Sequence, residues 1–182
     1  VPFCVVLAIV LQLLLAGMFV VMLGAYRSAG PRAQRAAEEA TARQGVAPQI
    51  LAEHGIRLEE GRGGFVVGYL IAAVLTALAI LNLTGNELGR LLSWVVQPLV
   101  FLGVGYVTTI QVFAVPMTVS VFARLDDPRV QGLDIRAVLH AAVDVLPSWY
   151  RPATVLRWLL ATAGSVAVII LLALPAAGSY FS

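Results

Sequence analysis

Chemistry in this chain would have to come from a short set of side chains, beginning with the adjacent carboxylates Asp126 and Asp127. Paired carboxylates can hold a divalent ion, but such ions want at least six oxygen ligands, and no companion carboxylates or histidines flank this pair. His140 lies four residues from both Arg136 and Asp144, so on a helix the three share one face. That is the best proton-handling arrangement in the sequence; a lone histidine on the wet face of a surface helix would give the same pattern. The other histidine, His54, follows Glu53 in a loop and forms no recognisable constellation. Asp126, Asp127 and His140 are therefore the functional candidates, and no catalytic, cofactor-binding or metal-ligating residue is assigned.

Other chemistries lack their residues. No nucleophile stands beside a base, no His-x-x-x-His pair or glycine-rich phosphate loop occurs, and there is no lysine for a Schiff base. Cys4 is the only cysteine, which rules out an intramolecular disulfide and a cysteine metal cage. All twelve basic residues are arginines, and a net charge of +2 without a basic, aromatic-interleaved stripe gives no footprint for nucleic acid.

The elements that would position these residues are dominated by hydrocarbon. The chain is 60% hydrophobic and 12% charged, against about 25% charged in soluble domains. The longest uncharged run, Leu91 to Ala123, would reach roughly 50 Å as a helix, well beyond a bilayer core of about 30 Å. It is too short to cross twice, so it reads as one long, tilted or broken helix, kinked by Pro98 and Pro116. The sequence predicts an all-α, polytopic integral membrane protein. Four transmembrane helices cover 3–25, 65–84, 91–123 and 153–174. A cytoplasmic helical hairpin fills 26–64, with Pro31 in the first turn of a new helix, and a short external connector spans 85–90. Segment 124–152 carries an interfacial amphipathic helix from Asp134 to Leu146, and 175–182 is an uncharged external tail.

Packing between spans falls to small and amide side chains, because lipid offers polar groups no partners. Ala73 and Ala77 form a small-xxx-small face; Gly103 and Gly105 permit close approach; Gln12, Gln97 and Gln111 are placed to bridge helices. Trp149, Tyr150, Arg151, Arg157 and Trp158 read as interfacial anchors, with Arg157 reaching back toward water. Asn82-Leu83-Thr84 matches a glycosylation motif but lies at the membrane edge.

Arginines concentrate in 26–64 and 124–157, while the connector holds only Arg90. Cationic loops stay in the cytoplasm, which places both polar segments inside and both termini outside a bacterial cytoplasmic membrane. No aspartate, glutamate or histidine lies deep in a span, which argues against an autonomous ion-coupled carrier. The expectation is a non-catalytic structural or accessory subunit, with membrane lipids and other membrane subunits as partners, a hetero-complex being favoured over a homo-oligomer. The alternatives are a channel or transporter component lined by the third span, and a lipid-handling enzyme using the candidates above.

Overall fold

The computed structural model describes residues 1–181, and among these it is all-helical. Four helices are long and apolar enough to cross a membrane: Phe3–Arg43, Arg62–Leu83, Glu87–Val112 and Tyr150–Ala173. The chain divides into two compact units. Residues 1–22, 66–112 and 152–182 form the first; residues 23–65 and 113–151 form the second.

Helix α1 (Phe3–Arg43) runs unbroken for 41 residues, with Pro31 inside it rather than at a new start. Gly30 precedes the proline and has no Cβ to clash with its ring, which eases the helix through a position that supplies no amide. At about 1.5 Å per residue α1 is roughly 60 Å long, about twice a hydrocarbon core. The chain then turns at Gly45, where φ is +77°, a left-handed conformation that glycine adopts without steric cost. Helix α2 (Gln49–Glu53) comes next. On the exposed side of α1, Arg35 Nε donates to the Pro31 carbonyl at 3.3 Å.

In the first unit, α3 (Arg62–Leu83) and α4 (Glu87–Leu99) are joined by a tight turn. Gly85 takes φ +69°, and the Asn86 amide bonds to the Leu81 carbonyl, closing the end of α3 in a Schellman pattern. Asn86 then caps α4 by accepting from the Leu88 amide at 2.9 Å. The α4 helix is polar inward and apolar outward. Gly89, Ser93 and Gln97 are buried, while Leu88, Leu91, Leu92, Val95 and Leu99 are exposed. A water-soluble helix turns its faces the other way.

A π-helical turn (Val100–Val104) succeeds Pro98 and leads into α5 (Gly105–Val112). The last span has the same plan: α8 (Tyr150–Leu159), a π turn (Leu160–Gly164) and α9 (Ser165–Ala173). Helix α10 (Pro175–Phe181) occupies what the sequence presents as a tail; Ser182 lies outside the described residues.

The uncharged run to Ala123 is not one span. The helix breaks at Phe113, and α6 (Ala114–Phe122) belongs to the second unit. Pro116 supplies no amide for the Val112 carbonyl, so the break falls where a continuous helix would need that bond. In α6 the proline sits in the first turn, where its missing donor costs least.

The second unit has its own core. Ala33, Ala37, Ala40, Ile50 and Leu51 come from the first polar segment, Phe122 from α6, and Val130, Ile135, Val138, Leu139 and Ala142 from the second polar segment. Helix α7 (Ile135–Asp144), capped by Asp134 as expected, thus turns its apolar side into protein and not into a headgroup layer. Of all the charged residues, only Glu87, Arg90 and Arg157 belong to the first unit.

Candidate functional site

The one convergence of ionisable side chains among the described residues is in the second unit, and it joins residues far apart in sequence. Helix α2 ends on Glu53 and His54. Asp127 opens the loop before α7; its Oδ1 accepts from the Arg129 amide at 2.9 Å, the short-range closure typical of an aspartate turn. That turn aims the Arg129 guanidinium back at Asp127, with Nε 3.2 Å from Oδ1 and Nη2 3.0 Å from Oδ2. The remaining arm, Nη1, reaches Glu53 Oε2 at 2.9 Å, across 76 residues of sequence. One planar guanidinium therefore clamps two carboxylates.

His54 completes the group. Its Nδ1 lies 3.0 Å from the Ile50 carbonyl. A carbonyl only accepts, so Nδ1 carries a hydrogen and Nε2 is left to face Asp127 Oδ2 at 3.5 Å. The ring leans on Phe122 with centroids 5.5 Å apart. The hydrogen bond from the Arg129 side chain, helped by its amide, holds the Asp127 carboxyl below the usual carboxylate range. An acid held so firmly ionised is a poor proton acceptor near neutrality. The arrangement can fasten α2 to the loop after α6, and it offers no nucleophile to activate.

Of the sequence candidates, only Asp127 enters this cluster. Asp126 and His140 are not brought to it, and His140 is exposed. Sequence reasoning misses Glu53, His54 and Arg129 as a group; their one signal is a histidine flanked by a carboxylate in an otherwise apolar chain. Among the described residues no group of three or more His, Cys, Asp or Glu side chains converges as a metal site would require.

The spans hold a second polar set. Gln12 Nε2 donates to Ser93 Oγ at 3.1 Å, and Asn82 Nδ2 donates to Ser93 Oγ at 3.0 Å and to Gln12 Oε1 at 3.2 Å. Ser93 passes its own hydrogen to the Gly89 carbonyl at 2.7 Å. All three side chains are essentially fully buried, so Asn82 joins three helices and is not a glycan acceptor. Gln97 is also buried. Gln111 accepts from Arg157, whose guanidinium also lies 5.5 Å from the centre of the Phe19 ring. Arg157 is 6% exposed: it points into the bundle, where it has an amide and an aromatic face, and not back toward water as the sequence suggested. Trp158 Nε1 donates to Thr109 Oγ1 at 2.9 Å, Tyr150 stacks on Tyr26 at 5.9 Å, and Trp149 and Arg151 are exposed.

The small-residue faces fall elsewhere than expected. Ala73 and Ala77 are not in the buried set; one position before Ala73, about 100° round the helix, Ala72 is buried together with Gly68, Leu75 and Ala79. Gly105 lies against the last span, where an added Cβ would come 3.2 Å from Thr162 Cγ2, whereas nothing lies near Gly103. Gly89 is tighter still: a Cβ there would meet Leu81 Cβ at 2.7 Å and the Asn82 amide nitrogen at 2.9 Å. Comparison with known proteins finds no matching family model, no matching curated protein and no matching solved structure.

Proposed function

We propose that this chain is a non-catalytic accessory subunit of a membrane protein complex, its first unit embedded in lipid and its second standing in the cytoplasm. The observation that carries this reading is how the spans use their polar side chains. Gln12, Asn82 and Ser93 bond one another, and Arg157 bonds Gln111; groups that could have lined an aqueous path instead tie helices together. The outward apolar faces of α3 and α4 suit acyl chains or the helices of another subunit. The two arginine-bearing segments share one core, which supports their lying on the same side, with both termini external and the membrane being a bacterial cytoplasmic one by the arginine distribution.

A channel or transporter component is the second reading, favoured by the π turns at Val100–Val104 and Leu160–Gly164, since such turns recur at functional sites. Purification in mild detergent followed by intact-complex mass analysis, with flux assays on the purified chain in liposomes, separates the two. A stoichiometric second membrane subunit and silent liposomes are expected. A homo-oligomer that conducts ions or solutes by itself would overturn the accessory role.

A further inference from the structure

Within the first unit, Arg90 is a cation whose shaft is fixed and whose tip is not used. It lies in the first turn of the span Glu87–Val112 and is half-buried. Its Nε donates to the Leu172 carbonyl at 3.1 Å, near the C-terminal end of α9. The guanidinium carbon stands 4.7 Å from the centre of the Trp94 ring and 6.0 Å from that of Phe181. Phe181 is buried, and Tyr180 beside it donates to the Leu83 carbonyl at 2.7 Å, which ties α10 to the end of α3. Nη1 and Nη2 have no hydrogen-bond or ion-pair partner among the described residues. We infer that this fork binds the phosphate of a membrane phospholipid at that end of the first unit. The inference rests on the membrane reading of the unit.

A purely structural brace would need only Nε and the aromatic contacts. Those contacts hold the guanidinium plane in place, so little side-chain freedom remains to be lost when an oxyanion docks. Gly178 faces the two unused nitrogens: a Cβ there would lie 3.8 Å from each. A methyl group would touch both, and glycine leaves that approach open. Two oxygens of one phosphate match paired Nη donors. The first turn of a span is also the level at which headgroups meet the protein. Glu87, exposed and three residues earlier on the same helix, suits the ammonium of an ethanolamine headgroup. A free phosphate ion would gain the fork alone. A lipid also lays its acyl chains on the exposed Leu91 and Val95 of α4, which favours it as the occupant.

The test is native mass analysis of the full-length chain released from detergent micelles. The probes are dioleoyl phosphatidylethanolamine and dioleoylglycerol, which differ only by the phosphoethanolamine group. Wild type should retain the phospholipid and discriminate against the diacylglycerol. Arg90→Gln should weaken retention about tenfold. Gly178→Ala keeps every contact of Arg90 named above and should weaken it too, whereas Arg136→Gln, in the second unit, should not. Circular dichroism confirms that each variant is folded. Unchanged retention in a folded Arg90→Gln or Gly178→Ala variant, or equal retention of the two probes by wild type, would overturn the inference. Displacement of the lipid by inorganic phosphate alone would keep an anion site and overturn its lipid occupant. A chain that stays dissolved once detergent is removed would instead remove the membrane reading, a result independent of lipid counting.

Discussion

Asn82 sits at the centre of three helices with no exposed surface, and its amide bonds both Gln12 and Ser93. Interhelical hydrogen bonds of this kind couple by roughly 0.6 to 2 kcal/mol in membranes. A double-mutant cycle of Gln12→Leu and Asn82→Leu, read by unfolding in mixed micelles, should return a coupling in that range. Strictly additive losses would mean that the two amides act separately. Asp127 behaves differently because its partner is a cation. Its folded-state value lies below the unfolded value of about 4, so the stabilisation is complete above that value and is lost as pH falls through the lower folded one. The melting-temperature gap between wild type and Asp127→Asn should therefore be present at pH 6 and close at the acid end. A gap independent of pH would show that the Arg129 clamp contributes nothing through charge. Gln12 and Asp127 can be picked out in the sequence because each is a polar residue of obvious chemistry. The partners Asn82, Glu53 and Arg129 cannot, since three-dimensional closure across tens of residues leaves no local pattern.

At the scale of elements, the apolar runs are legible in the sequence and their ends are not. Hydrophobic length alone finds four spans, but it cannot say that Pro31 will be absorbed by a continuous α1 while Pro116 accompanies a break. Both prolines accompany helix that packs on the same core, through Ala33, Ala37 and Ala40 after Pro31 and through Val115, Val119 and Phe122 around Pro116. Packing beyond each proline therefore does not distinguish them; what differs locally is the residue before the proline, Gly30 in one case and Val115 in the other. Replacing Pro116 with Ala restores an amide for the Val112 carbonyl. If the proline sets the break, hydrogen exchange at residues 113–117 should slow markedly; unchanged exchange would assign the break to packing of α6. Amphipathic periodicity alone cannot say what covers the apolar side of α7, because an apolar face reads the same whether lipid or protein covers it. Protein covers it in α7, where Ile135, Val138, Leu139 and Ala142 lie in the core of the second unit. Small residues are ambiguous for a related reason, since a one-residue offset turns a packing face outward. Gly89→Ala should cost about 1–3 kcal/mol by overpacking the α3–α4 hairpin, while Gly103→Ala, with open space around it, should be close to neutral. Equal effects in a detergent unfolding assay would contradict this account of the hairpin.

For the molecule as a whole, charge and hydrophobicity are sorted between two units. Charged side chains gather where residues 23–65 and 113–151 fold together, and polar groups in the spans turn toward one another. That sorting is what a chain solvated by lipid along one unit and by water around the other requires. On this account residues on both polar segments share a compartment and the α3–α4 turn lies in the opposite one. Single cysteines at Arg43→Cys, His140→Cys and Glu87→Cys, all exposed positions, test this directly in a Cys4→Ala background with a membrane-impermeant thiol reagent. In intact cells only position 87 should react, and in inverted vesicles only 43 and 140. Reaction of 43 and 140 from opposite faces, or of all three from either face, would contradict the account.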